Sequence, residues 1–202
     1  MRETPKSFGA GYQESPLYGA SSFCPQIMIP LDFKIFDFIH QLAGQNRLLD
    51  LLAVFFAGYA GFIAAIIALF LIFSPKKWQD RLFNFSFVSL ALLLSRGIIT
   101  ETIRFFYDRT RPFVEFGFTP LVNHDVQASF PSGHMAFYFA LAFAVYYLGF
   151  RRWSWAFMAV FAFMGFARVF AGVHWPSDII GGIAVAFLSA FAVHKALPRD
   201  KK

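Results

Sequence analysis

Long runs of uncharged, apolar residues constrain the fold of this chain more than any other feature of its sequence. Residues 51–73 contain no charge and exceed the ~20 apolar residues that a helix needs to cross the hydrocarbon core of a membrane. The chain is 57% hydrophobic and only 15% charged, and it includes 30 phenylalanines. This composition lies outside the range of ordinary soluble domains. The sequence therefore predicts an all-α membrane protein.

Four further segments are candidate spans, so the predicted fold is a polytopic transmembrane helix bundle of about five spans. Residues 82–107 are apolar but carry Arg96, Glu101 and Arg104. These charges must face protein or water, because a charge in contact with lipid is costly. The other candidates are residues 135–150, 153–170 and 178–197.

Residues 31–43 precede the first span and show a two-sided helical pattern. Apolar residues recur on one side of the helix, namely Leu31, Ile35, Phe38, Ile39 and Leu42. Lys34, Asp37 and Gln41 lie on another side. Such a pattern is typical of a helix that lies in the membrane interface. A sixth span is the alternative, but it would have to bury Asp32, Lys34 and Asp37.

The composition of the two ends of the chain indicates the bounds of the membrane domain. Residues 1–26 are rich in Gly, Ser, Pro and Tyr and lack the basic start and apolar core of a signal peptide, so residues 1–30 are predicted to be a flexible tail. Residues 31–197 form one predicted membrane domain, and residues 198–202 a basic cytoplasmic tail. Cys24 is the single cysteine, so neither an intramolecular disulfide nor a cysteine-based metal site can form.

Basic residues predict the orientation of the bundle. They are frequent in alternate connections, at Lys76, Lys77, Arg81, Arg151, Arg152, Lys195, Arg199, Lys201 and Lys202. By the positive-inside rule these connections are cytoplasmic, and residues 108–130 and 171–177 face the other side. The net charge of +6 is explained largely by these loops, and nucleic-acid binding is not expected in so apolar a chain.

Three short polar clusters lie in or beside the connections predicted to be extracytoplasmic. They are Arg104-x6-Arg111-Pro112, Pro131-Ser132-Gly133-His134 and Arg168-x5-His174-x3-Asp178. Guanidinium groups can grip phosphate oxygens in pairs, and the free N–H groups of a helix start bind phosphate readily. A carboxylate near a histidine can fix its tautomer. Together these groups favour phosphate-ester chemistry.

The order and spacing of the clusters resemble the three signature motifs of the type 2 phosphatidic acid phosphatase (PAP2) superfamily, K-x6-RP, PSGH and SR-x5-H-x3-D. Arg104 stands where the family has Lys, and Ala167 where it has Ser. The resemblance implies a membrane phosphatase in which His174 is the nucleophile and forms a phosphohistidine, Asp178 orients it and His134 protonates the leaving group. The phosphate-binding residues that it implies are Arg104, Arg111, Ser132, Gly133 and Arg168. It also implies that no metal or other cofactor takes part.

Within this superfamily, residues 36–50 and 172–178 look most like the bacterial undecaprenyl-diphosphatase branch. That likeness implies removal of the terminal phosphate of undecaprenyl diphosphate at the extracytoplasmic face of the bacterial plasma membrane, which regenerates a carrier lipid for peptidoglycan synthesis. Hydrolysis of phosphatidylglycerophosphate or phosphatidate is an alternative, and phosphotransfer to lipid A is another. The expected partners are the lipid substrate and the membrane lipids.

Two competing interpretations use the same residues differently. His134, His174 and Asp178 could ligate a metal ion, but three nearby arginines would repel it. A non-catalytic transporter, channel or assembly factor would explain Arg96, which lies deep in a span and could brace the bundle through Glu101. His124 and Asp125 are expected to be solvated loop residues or minor contributors at the rim of the site.

Overall fold

The computed structural model describes residues 30–198, which form helices and loops with no strand among them. Most of the predicted N-terminal tail, Cys24 and the basic residues from Arg199 onward lie outside the described residues. The helices are α1 (Pro30–His40), α2 (Arg47–Gly58), α3 (Ala60–Phe73), α4 (Trp78–Leu92), a π-helical segment (Leu93–Ile99), α5 (Thr100–Phe106), α6 (Pro112–Glu115), α7 (Gly133–Tyr147), α8 (Arg151–Phe170) and α9 (Pro176–Ala196).

The predicted transmembrane bundle is confirmed. Four helical segments are long and apolar enough to cross a membrane, namely Arg47–Phe73, Trp78–Phe106, Arg151–Phe170 and Pro176–Ala196. α7 is a fifth, shorter apolar helix. The outer helices expose large apolar side chains, for example Ile66, Phe70, Phe163 and Leu188. Such a surface suits lipid, which is as apolar as the side chains themselves.

The short helix α7 forms the centre of the bundle. Its 15 residues rise roughly 22 Å, less than the thickness of a hydrocarbon core. It packs against α3, α4, α8 and α9, and Ala140, Ala142 and Ala144 along it are fully buried. Because neighbouring helices surround α7, its length need not match the lipid.

The first span is divided between α2 and α3 at Tyr59. The sequence predicted one span over residues 51–73, and Arg47–Phe73 is one span that carries a single-residue break. The carbonyl of Ala57, freed beside the break, accepts a hydrogen bond of 3.1 Å from Arg168 Nη1. A helix can be interrupted within a membrane where another protein group satisfies the freed backbone.

The second span contains a π-helical segment, Leu93–Ile99, between α4 and α5. One extra residue per turn rotates the side chains that follow it, and π segments are frequent at functional sites. Ser95 within it is fully buried and donates to the carbonyl of Ala136 in α7 at 2.8 Å. The π segment thus packs its polar side against the centre of the bundle.

Helix α1 is too short to cross a membrane, because its 11 residues rise only about 16 Å. Leu31, Ile35 and Phe38 are exposed on its outer side, as an interfacial helix requires. Its inner side buries Phe36 and Asp32. The sequence argument treated burial of Asp32 as unfavourable, but protein groups surround this carboxylate, as described below.

The two connections between spans at one end of the bundle are joined to each other. Phe113 N donates to Gly172 O and Leu121 N donates to Ala171 O, both at 3.2 Å. Gly172 has a φ of +82°, and a Cβ there would lie 2.5 Å from a ring carbon of Phe118. A glycine is therefore needed at this position. These contacts bring all three polar clusters to the same end.

Candidate active site

His174 lies at the centre of the three clusters and is only 1% exposed. Its Nδ1 is 3.2 Å from Asp178 Oδ2, and its Nε2 is 3.2 Å from Arg111 Nη1. A guanidinium can only donate, so Nε2 is the acceptor and the ring proton is on Nδ1. Burial, followed by the charges of Arg168 and Arg111, holds the pKa of His174 well below its usual value. The neutral ring therefore keeps a lone pair on Nε2.

Asp178 is fully buried in the first turn of α9. Besides its contact with His174, Oδ2 accepts from the backbone N–H of Trp175 at 2.8 Å. This bond fixes the carboxylate at the helix start, where the N–H groups favour negative charge. Trp175 is the N-cap residue of this helix, and Pro176 is its first helical residue.

Arg111 joins the first cluster to the other two. Its guanidinium donates to the carbonyls of Gln127, Ala128 and Val173 at 2.8, 3.2 and 3.0 Å. Burial and then the charge of Arg104 lower the pKa of Arg111 to about 10, so the side chain remains charged at neutral pH. Its position is set by the backbone of two loops, and its charge is directed at His174.

The second cluster forms the start of α7, with Ser132 as the N-cap residue and Gly133 as the first helical residue. The Ser132 hydroxyl makes no capping hydrogen bond and lies 3.3 Å from His174 Nε2 instead. The first N–H groups of a helix have no partner within the helix and can bind an anion. His134, in the same turn, is exposed towards a pocket.

Two arginines approach the start of α7 from the second span. Arg104 Nη2 donates to Pro131 O at 3.0 Å, and Arg96 pairs with Glu101, as the sequence suggested. A Cβ on Gly133 would lie 2.7 Å from Arg96 Nε and 3.2 Å from Arg104 Nη2. Glycine at this position therefore lets both guanidiniums lie against the helix start. Arg96 therefore lies at the edge of the site.

Arg168 is another buried cation of the constellation and is 3% exposed. Its Nη1 bonds to Ala57 O, but its Nε is buried without a hydrogen-bond partner among residues 30–198. A buried donor without a partner is costly. Arg168 also lines the pocket that His134 faces, so an anion in this pocket would supply the missing acceptor.

The pocket has a volume of about 330 Å³. Its walls come from the α2 end, from the loop before α7 and from the clusters: Ala57, Gly58, Val122, Asn123, His124, Asp125, His134 and Arg168. The His124 ring lies 5.8 Å from that of His174 and 6.1 Å from that of His134. Burial and then Arg111 lower the pKa of His124 to about 4. His124 and Asp125 are thus among the residues that line the pocket.

All eight residues proposed from the sequence meet at this end of the bundle.

Comparison with known proteins shows the family of the chain. The model of the PAP2 superfamily matches residues 85–202, more than half of the chain and all three clusters. The chain belongs to the PAP2 superfamily. It is a multi-pass membrane phosphatase of that superfamily.

Individual PAP2 relatives differ in the substrates for which they are named. The chain is 30% identical to undecaprenyl-diphosphatase BcrC of Bacillus subtilis over 80% of its own length and 81% of that protein. It is 41% identical to lipid A 1-phosphatase of Rhizobium etli over 47% of its own length and 39% of that protein. The crystal structure of Aquifex aeolicus LpxE shares the fold, with a TM-score of 0.67 at 22% identity over 82% of this chain and 95% of that chain.

Two buried residues beside the PAP2 clusters were not identified from the sequence. Arg109, two residues before Arg111, donates to Asp178 Oδ1 at 2.9 Å and to Asp32 Oδ2 at 2.6 Å. In the sequence, Asp32 was named only as a charge that a sixth span would have to bury. The signal available in the sequence was only the presence of an acidic residue in α1, whose partner is 77 residues away.

Proposed function

We propose that this chain removes the terminal phosphate of undecaprenyl diphosphate at the extracytoplasmic face of a bacterial plasma membrane, through a phosphohistidine on His174. The observation that carries this proposal is the pairing of His174. Its Nδ1 is held by Asp178, and its Nε2 faces Arg111 and Ser132. This is the arrangement that a neutral imidazole needs to attack phosphorus while cations surround the phosphate oxygens.

The reaction proceeds in two displacements. His174 Nε2 attacks the terminal phosphorus, the bond from phosphorus to the bridging oxygen breaks, and His134 gives a proton to the departing lipid monophosphate. A water molecule then attacks the phosphohistidine, His134 takes up a proton from it, and the bond from phosphorus to nitrogen breaks. Inorganic phosphate leaves and His174 is regenerated. Arg104, Arg111 and Arg168, with Ser132 and Gly133, bind the phosphate oxygens.

The substrate assignment is supported by length as well as identity. The similarity to undecaprenyl-diphosphatase BcrC extends over four-fifths of both chains and so includes part of the N-terminal half, outside the three clusters. The pocket wall includes Ala57 and Gly58 from this half. Differences in the lipid that is accepted are expected to arise there, because the clusters themselves bind only phosphate.

Removal of phosphate from lipid A is the second candidate. It is favoured by the 41% identity to lipid A 1-phosphatase of Rhizobium etli, although that match covers less than half of either chain. Lipid A is bulkier than a polyprenyl chain but presents a phosphate at the same headgroup depth. Both candidates use the same histidines and arginines.

The proposed function is tested by comparing substrates under one condition. Purified protein in detergent is given undecaprenyl diphosphate, lipid A, phosphatidylglycerophosphate or phosphatidate, and kcat/KM for phosphate release is measured for each. We expect undecaprenyl diphosphate to give the highest value. A higher value for lipid A would establish the second candidate, and absence of release from all four would favour a non-catalytic protein.

We predict that chelators leave phosphate release within about twofold of its untreated rate, because guanidinium groups here supply the charge stabilisation that a divalent ion supplies elsewhere. The measurement is phosphate release before and after dialysis against EDTA. A loss of activity that one particular metal restores would contradict the proposed chemistry of His174.

The proposed orientation predicts a labelling pattern. Thr119 lies in the connection beside the site and Ser74 at the opposite end, and both are exposed. After removal of Cys24, a cysteine at Thr119 should react with an impermeant thiol reagent added to intact cells, whereas one at Ser74 should react only after lysis. The reverse pattern would put the site in the cytoplasm and exclude a role at the outer face.

A further inference from the structure

Asp178 is held from two sides, and the second side is occupied by a cation. Its Oδ2 faces His174, while its Oδ1 accepts from Arg109 Nη1 at 2.9 Å. Arg109 is 7% exposed and lies over the ring of Trp175, 5.2 Å from its centroid. A buried guanidinium in this position withdraws from His174 much of the negative charge that Asp178 carries.

Asp32 of α1 balances this cation. Its Oδ2 accepts from Arg109 Nη2 and from the Ser177 hydroxyl, each at 2.6 Å, and its Oδ1 accepts from Ser177 N at 2.9 Å. Asp32 is 4% exposed, so water screens these interactions little. The buried side chains of Asp32, Arg109 and Asp178 together carry two negative charges and one positive charge.

The net charge of this group matters when His174 reacts. Phosphorylation at Nε2, with the proton kept on Nδ1, gives the ring a positive charge. With Asp32 in place, the two carboxylates and Arg109 carry a net charge of −1 beside that ring. Without Asp32 the net charge of Asp178 and Arg109 would be zero, and Asp178 would be the only carboxylate paired with Arg109.

We propose that Asp32 is a positioning residue for the nucleophile: it neutralises and anchors Arg109, so that Asp178 retains the charge and orientation that His174 requires to accept a phosphoryl group. The proposal rests on the proposed phosphohistidine chemistry. It couples helix α1 to the reaction, although α1 does not line the pocket.

Anchoring of α1 is the competing role for Asp32, and the structure allows the two to be separated. α1 is also held by Phe36, whose ring lies 5.1 Å from that of Trp175, and by His40, whose Nδ1 is 2.8 Å from Phe170 O. These contacts do not involve Asp32. Asp32→Asn should therefore leave α1 in place while it removes the charge.

The test measures phosphoenzyme formation from labelled undecaprenyl diphosphate, with kcat, KM and thermal unfolding, in the full chain. Asp32→Asn should lower the rate of phosphoenzyme formation and kcat by about 10 to 100-fold and leave KM within about twofold. Asp32→Glu should recover part of the rate. Ser177→Ala is the neutral control, because it removes the hydroxyl that donates to Asp32 and accepts from Arg109, without a change of charge; its loss should be much smaller.

The double variant Asp32→Asn with Arg109→Gln decides between charge and anchoring. It restores a net charge of −1, so it should form the phosphoenzyme faster than Asp32→Asn alone, whereas an anchoring role predicts a further loss. The proposal is overturned by a double variant that is slower, by Asp32→Asn at the wild-type rate, or by an Asp32→Asn protein that does not fold. A wild-type protein that forms no phosphoenzyme would instead refute the proposed function.

Discussion

His174→Ala will abolish the phosphoenzyme, whereas His134→Ala will still form it, about 10² to 10⁴-fold more slowly. The difference follows from the position of each ring. His174 Nε2 is directed at Arg111 and Ser132, which are proposed to bind the phosphate. His134 lines the pocket in the first turn of α7, where it can reach the departing oxygen. Phosphate trapped on acid-quenched protein is the measurement.

The leaving group separates the two histidines further. A substrate such as p-nitrophenyl phosphate, if it is accepted, needs little protonation of its leaving group and should partly rescue His134→Ala. It should not rescue His174→Ala, because the nucleophile itself is missing. Asp178→Asn should fall between the two, since the nucleophile remains while its orientation is weakened.

His194→Ala provides the matched control for these variants. His194 is in the last turn of α9, far along the helix from Asp178, and its ring stacks on Tyr147 with centroids 4.3 Å apart. This variant should keep the wild-type rate of phosphoenzyme formation. Phosphate trapped on His174→Ala, or equal rescue of both site variants by the activated substrate, would refute the assigned roles.

The meeting of the proposed site residues at one end of the bundle could be predicted from the sequence, because each of the three clusters is local. His174 and Asp178 are four residues apart and meet across the start of one helix. Ser132, Gly133 and His134 are consecutive at another helix start. Hydrophobic runs locate the helices that carry these segments, and alternation of the spans brings their ends together. Short-range spacing therefore carries most of the information on the site.

Asp32 and the break at Tyr59 could not be predicted, because their partners are remote in sequence. Burial of an isolated carboxylate is unfavourable, and Arg109 with Ser177 makes it acceptable only in the folded chain. Likewise, an interruption in an apolar helix is tolerated because Arg168 reaches the carbonyl of Ala57 from another span. Neither pairing leaves a periodic signal in the sequence.

The π-helical segment Leu93–Ile99 also has no visible signal in the sequence. Its residues are ordinary for a membrane helix apart from Arg96, and a regular α-helix was the reasonable prediction. The segment ends one turn before Arg104. The π segment rotates the side chains that follow it about the helix axis. Arg96 and Arg104 both reach the start of α7 near Gly133.

Arg168→Lys should lower kcat/KM for phosphate release by about 10²-fold. Lysine keeps the positive charge but lacks the planar set of donors of a guanidinium. It therefore also lacks the buried Nε, which has no hydrogen-bond partner among the described residues. The bond from Arg168 to Ala57 O is a single charge-assisted contact, and lysine also carries a charged donor, so the fold should survive. The measurements are phosphate release, the inhibition constant for inorganic phosphate and thermal unfolding.

Inhibition by inorganic phosphate shows whether Arg168 binds the anion or only supports the fold. If Nε donates to a phosphate oxygen, the inhibition constant in Arg168→Lys should rise together with the loss of kcat/KM, while thermal unfolding changes little. Arg152→Lys is the matched control, because Arg152 is an exposed arginine at the other end of the same helix; it should change neither quantity. An Arg168→Lys protein with wild-type inhibition by phosphate would show that this arginine does not contact the anion, and the buried donor would then require another explanation.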